Sequence, residues 1–182
     1  ASNLFAANGT TALGVFNNMT SNTQQAATGS GSCIVYAYDM DEDGVVDAEE
    51  LAGFRLTTAG VVQLRTSGNT AAPNSCATTS NTWSDLTDSD FITVSTLTFD
   101  LANSNCLNTR EPDSTNNDGD ASTDEPDEYN CYTSVPTGGS GNITVETREI
   151  TITLTANLTN DSFVRLTQTQ NVRVRNDLVR VH

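Results

Sequence analysis

The hydrophobic and polar positions of this chain follow two different periods. In residues 150–158 every even position is apolar and every odd one is Thr or Asn, the period of a half-buried antiparallel strand. Asn160-Asp161-Ser162 supplies a turn. Val164, Leu166, Val172 and Val174 then repeat the even pattern on a return strand, with Arg165, Arg173 and Arg175 outside and Gln168 and Gln170 as interruptions. Leu13, Phe16 and Met19 instead keep a three-residue step that Thr20 and Thr23 extend, which predicts an amphipathic helix over about 10–27 ending at Gly29 and Gly31. Between these ends, residues 33–38 are β-branched and aromatic and read as a strand. Residues 48–51 form one helical turn before Gly53, and 54–56 and 61–65 make a hairpin around Thr58-Ala-Gly60. Residues 67–82 are loop, and 91–99 a strand whose apolar phase slips at Ser95-Thr96, as a bulge would make it. The Pro, Gly and Asn content of 103–141 argues against regular structure there.

Composition narrows the class. A chain of 182 residues suits one domain with a real core. All eight basic residues are arginine, against 23 acids, for a net charge of −15. Seven acids lie in 39–50 and eight in 111–128, so two short segments hold 15 of the 23. Charge of this density repels itself unless cations bind or the segment stays solvated, and it makes nucleic acid and anionic membrane surfaces poor partners.

The denser segment carries the main chemistry. Asp39, Asp41 and Asp43 occupy positions one, three and five of a twelve-residue calcium loop, Gly44 the turn at six, Val45 the backbone-carbonyl position at seven, Asp47 nine and Glu50 twelve. Calcium takes roughly six to eight oxygens, which such a loop provides from its own residues. A strand leads in where a paired regulatory hand has a helix, so a structural clamp is expected and not a switch. A solvated acidic turn is the alternative.

Residues 116–127 fit the same scheme less well: Asn116, Asp118, Asp120, Asp124 and Asp127 fall at one, three, five, nine and twelve, with Ala121 in place of the glycine. A register two residues earlier recovers Gly119 at six and Glu125 at twelve, but starts on Ser114. A second calcium site and an ion-free solvated segment both fit these residues. Cys33, Cys76, Cys106 and Cys131 lack Cys-x-x-Cys spacing and have one histidine to join them, which argues against zinc and for two disulfides formed in an oxidising compartment. Of the three possible pairings, Cys33–Cys76 with Cys106–Cys131 is favoured, because each pair brackets one acidic loop. The carboxylates sit in charge-dense loops without an apolar pocket, and no nucleophile motif is present. No enzymatic activity and no small-molecule substrate is expected.

Cys33-Ile-Val-Tyr-Ala-Tyr-Asp39 followed by the Asp-x-Asp-x-Asp-Gly loop, Gly53-Phe-Arg-Leu56, Gly60-Val-Val-Gln-Leu-Arg65, Val94-x-x-Leu-x-Phe99 and Val172-Arg-Val-Arg-Asn176 together resemble the minor pilins of type IV pili, in particular PilW-like proteins. The resemblance implies an α+β, pilin-like fold over 1–182, an N-terminal helix packed on an antiparallel sheet with long disulfide-stapled acidic loops. Residues 1–30 would be the remainder of the helix and a linker, and 103–141 a loop insert. It also implies a structural role in priming pilus assembly or at the tip, other pilin subunits as partners, and a membrane anchor by an N-terminal helix that is missing here. Its place would be the extracellular pilus, or the periplasmic face of the inner membrane before assembly. A secreted calcium-binding adhesion or docking module is the alternative function.

Overall fold

A computed structural model describes residues 13–77, 79, 81–174 and 177–182. The chain divides into two compact units, residues 1–100 with 151–171 and residues 101–150 with 172–182.

The first unit is built of strands. Its five-stranded sheet has the order β1 (Leu13–Phe16), β3 (Cys33–Ala37), β4 (Leu51–Leu56), β5 (Val62–Ser67), β6 (Thr82–Asp85), all antiparallel. A four-stranded sheet runs β11 (Asp161–Arg173), β10 (Glu149–Leu158), β7 (Ile92–Asp100), β2 (Ser30–Gly31). Phe16, Cys33, Val35 and Cys76 form a buried cluster with Trp83 against it, and the Cys33–Cys76 disulfide lies within that cluster. The β4–β5 turn docks on β7, where the Val94 N–H donates to the Gly60 carbonyl at 2.9 Å. Gly60 adopts φ +77°, and a Cβ there would stand 2.7 Å from Thr93 Cγ2, so the turn needs glycine on both counts.

The expected α+β fold with a helix over 10–27 is corrected. Residues 10–12 lie outside the described residues, 13–16 are strand β1, and the one helical element among the described residues is the 3₁₀ turn Ala48–Glu50. Leu13, Gly14, Val15 and Phe16 are all buried, so both faces of the segment are covered and its apolar residues need no helical period. Past Phe16, the Asn18 side chain accepts the Thr20 N–H at 3.0 Å and the Thr20 hydroxyl at 2.8 Å, a local bond that competes with helix propagation.

The slip in β7 is a bulge: Thr96 faces Thr155 and Val94 faces Ala156, which leaves Ser95 as the extra residue. The return strand β11 departs from its expected half-burial, being exposed along its whole length, with Val164 at 50% and Leu166 at 65% exposure. Its even positions therefore do not form a core face. Thr153–Thr169 and Thr155–Thr167 hydroxyl contacts at 3.3 and 3.0 Å tie it to β10.

The second unit has a three-stranded antiparallel sheet, β12 (Leu178–Val181), β9 (Ile143–Thr147), β8 (Asn105–Asn108), closed by the Cys106–Cys131 disulfide. Strand β8 lies inside the stretch expected to be irregular. The buried residues here are largely polar: Asn108, Glu111, Glu128, Ser134, Asn142, Thr144 and Glu146. Glu146 accepts from Arg148 at 2.7 Å and from the Tyr132 hydroxyl at 2.9 Å, and pairs with Arg180 at 3.2 Å. Hydrogen bonds and a covalent staple hold this unit where apolar burial is thin.

Candidate metal centres

Both acidic loops open with the same turns because short acidic side chains bond to backbone two residues on, and they part at position nine, where Asp47 has φ −91° and Asp124 φ 62°. In the 39–50 loop the Asp43 N–H donates to Asp41 Oδ1 at 3.2 Å and the Val45 N–H to Asp43 Oδ1 at 2.7 Å. The second loop repeats this with the Asp120 N–H on Asp118 Oδ1 at 3.0 Å and the Ser122 N–H on Asp120 Oδ1 at 2.6 Å. Position four is left-handed in each, Glu42 at φ 61° and Gly119 at φ 79°. A buried glutamate closes each loop. Glu50 accepts the Met40 N–H at 2.5 Å and the Asp47 N–H at 3.0 Å; Glu128 accepts the Asn117 and Asp124 N–H groups. From the N–H of position two to that of position nine the spacing is identical, but Glu128 stands one residue later than Glu50.

In the first loop the carboxylates of Asp39, Asp41 and Asp43 come within 4.8 Å of one another. Asp39 Oδ1 is shut off from water and has no hydrogen-bond partner among the described residues. The Asp47 and Glu50 carboxylates stay out of that group, and Val45, expected to offer its backbone carbonyl, is exposed. Their electrostatics differ: Asp47 titrates above the ordinary carboxylate range through desolvation and the charges of Asp43, Glu50, Asp41 and Glu49. Glu50 lies below that range because the Asp47 and Met40 N–H groups hold its anion.

The second loop divides the predicted set. Asp118 and Asp120 join Glu125 within 4.8 Å, whereas Asp124 joins Glu111 and Asp113 in a separate group. Both Glu125 oxygens are buried without a hydrogen-bond partner, and burial followed by the neighbouring Asp120 raises its pKa. Asn116 is occupied as a brace, accepting the Gly119 N–H at 2.5 Å and donating to the Asp120 carbonyl at 2.7 Å. Asp127 is exposed and in neither group. Glu111, Asp113 and Glu128 escaped the sequence scheme: the first two precede its first position, and the residue inserted around Pro126 carries the closing acid past position twelve.

Carboxylates gathered with few donors between them suit a hard cation, which takes oxygen ligands and offsets their repulsion. Asp39 Oδ1 and the two Glu125 oxygens are the unsatisfied acceptors that such an ion would complete. Calcium fits these donors; zinc, which favours nitrogen and sulfur, does not, since all four cysteines are in disulfides.

Two stapled units of β-structure with polar, acid-rich loops define an exported domain of the kind an oxidising compartment permits. The chain belongs to the family described as PpdB, prepilin peptidase-dependent protein B, whose model matches residues 5–174. Membership ties it to the type IV pilus and pseudopilin machinery, without singling out the PilW-like minor pilins, and to an extracellular or periplasmic location. No curated protein and no solved structure matches the chain. No helix among the described residues is long and apolar enough to cross a membrane.

Proposed function

We propose that this chain is a non-enzymatic structural subunit of a type IV pilus, a PilW-like minor pilin that primes assembly or sits at the tip and is held among other pilin subunits. Family membership over residues 5–174 carries the pilus role. Before assembly the subunit stands at the periplasmic face of the inner membrane; afterwards it is exposed on the pilus. Calcium ions set its two acidic loops, Asp39, Asp41 and Asp43 binding the first and Asp118, Asp120 and Glu125 the second, with Glu50 and Glu128 locking the loop backbones. The matching backbone bonds of the two loops and the unsatisfied oxygens of Asp39 and Glu125 support this part.

Two experiments test the two parts separately. Deleting the gene and counting surface pili tests the pilus role, and unchanged pilus number and tip composition would refute it. For the ion, melting the protein in calcium against chelator reads mass-action stabilisation. A ligand at roughly 100 times its Kd adds about 2.7 kcal/mol, so millimolar calcium should raise Tm by several degrees. The Asp41→Asn, Asp43→Asn double variant should lose the first loop's share. No calcium shift in the parent protein would sink the ion and leave the pilus role standing.

A further inference from the structure

Among the described residues the longest strand is β11, with 13 residues where about 5–6 is usual. All 13 are exposed, and β10 is the strand's single neighbour in its sheet, so its outer edge is open. Proteins blunt open edges with charge, proline, bulges or shortness. Between Ser162 and Val172 this edge has no proline and one charged residue, Arg165, while Phe163, Val164, Leu166 and Val172 stand on the strand at 96, 50, 65 and 45% exposure. Left bare, such an edge is a template for another strand.

The charges of β11 fit a second copy of itself. Asp161 starts the strand and Arg173 ends it. In an antiparallel pair with Thr167 facing its symmetry mate, every residue of each strand has a partner, Asp161 facing Arg173 at both ends and Arg165 facing Thr169. Opposite charges face to face stabilise a strand pair, and like charges destabilise it. A pair centred on Arg165 or Thr169 sets arginine against arginine, and one centred on Leu166 or Gln168 leaves Asp161 without an arginine of β11 opposite. The Thr167 register also makes Leu166 a diagonal neighbour of its mate, close enough for the two side chains to meet. Arg173 meets its own Asp177 at 3.3 Å with 63% of its side chain exposed, a surface pair of little worth that leaves the guanidinium available. We infer that two copies of this chain associate through β11, antiparallel about Thr167, joining two four-stranded sheets into one. The contact rests on the strand alone and is independent of the pilus role.

Sedimentation equilibrium of the whole chain, run up to about 1 mM, the range of weak association, should show monomer and dimer. Asp161→Arg and Arg173→Asp each turn two attractive contacts into two repulsive ones, and each should weaken the dimer at least roughly tenfold. Combining the two substitutions restores opposite charges at both ends and should bring the dimer back to within about threefold of the parent. Under mild oxidation Thr167→Cys should give a disulfide-linked dimer, since facing Cα atoms lie about 4.5–5.5 Å apart. Ser162→Cys should not, because its mate would lie beyond the roughly 7 Å that a disulfide can bridge. A chain monomeric throughout, single reversals without effect, a double variant no tighter than the singles, or Ser162→Cys linking as readily as Thr167→Cys would each overturn the inference.

Discussion

Replacing Glu128 by Ala should damage the second loop far more than replacing its neighbour Asp127. Glu128 is wholly buried, at 0% exposure, and its two oxygens accept the backbone N–H groups of Asn117 and Asp124, which start and end the loop's turn. Truncation leaves both donors without their acceptor. A buried donor left unsatisfied costs about 1–3 kcal/mol; these bonds are partly buried, so water recovers some of that and the sum is about 2–3 kcal/mol. For a domain of roughly 60–100 residues each kcal/mol moves Tm by about 4–8 °C, so the second unit should melt roughly 10–20 °C lower. Asp127 is exposed and joins no carboxylate group, which limits Asp127→Ala to about 0.5 kcal/mol. Differential scanning calorimetry in chelator isolates the hydrogen bonds from any ion, and repeating it in calcium reads the loop's share of ion binding. Equal losses in the two variants, or a Glu128→Ala protein within about 0.5 kcal/mol of its parent, would refute the assignment of Glu128 as the closing residue.

Three other outcomes are expected. Changing Cys106 and Cys131 to Ser frees a loop with a sequence separation of 25; loop-closure entropy puts the loss at about 3.5 kcal/mol, and hydrogen exchange should rise in the second unit while the β3–β5 amides stay protected. Gly60→Ala meets a positive φ and a 2.7 Å approach to Thr93 Cγ2, for a loss of about 1–3 kcal/mol in urea melts; a neutral result would mean the β4–β5 turn does not seat on β7 as described. Burial, then the charge and hydrogen bond of Glu146, raise the Tyr132 phenol above its ordinary 10.0. The folded state thus keeps a proton that the unfolded state gives up first, so this contribution is complete below pH 10.0 and is lost as pH rises from there through the higher folded value. Tyr132→Phe should flatten that alkaline decline in urea melts, and an unchanged decline would argue against it.

Much of the strand pattern was legible because local residue chemistry governs it. The strand over β10, the hairpin over β4 and β5, and the bulge at Ser95 are each set by neighbours in the chain or by a turn type, but burial in β10 does not follow its alternation: Thr155 is buried and Leu158 exposed. Both disulfides join the cysteines that bracket an acidic loop. The helix over 10–27 failed because a three-residue apolar step also occurs in a strand buried on both faces, and burial on both faces depends on partners distant in sequence. Strand β11 failed in the opposite sense: its apolar alternation is real, but no layer of described residues covers it.

At the candidate site the division is similar. That Asp39, Asp41 and Asp43 gather follows from their spacing, since Asp41 and Asp43 each accept an N–H two residues on and the turn follows from the residues within it. Glu128 lay outside the fixed scheme and Glu125 entered it only in the register starting at Ser114, whereas the chain path delivers Glu128 to the N–H groups of positions two and nine. Glu111 and Asp113 reach Asp124 through the fold. Arg65 carried no local signal: an arginine on a strand is ordinarily a solvent-facing residue, and here its burial comes from the 68–77 loop folding over it. What the amino-acid sequence determined by itself was the acid-rich loop chemistry, the strand periods and the oxidised cysteines, because these rest on interactions a few residues long. Which oxygens gather, which arginine lies buried on backbone carbonyls and which apolar face of the described residues remains open were decided only by tertiary structure, because each depends on contacts between segments far apart in the chain.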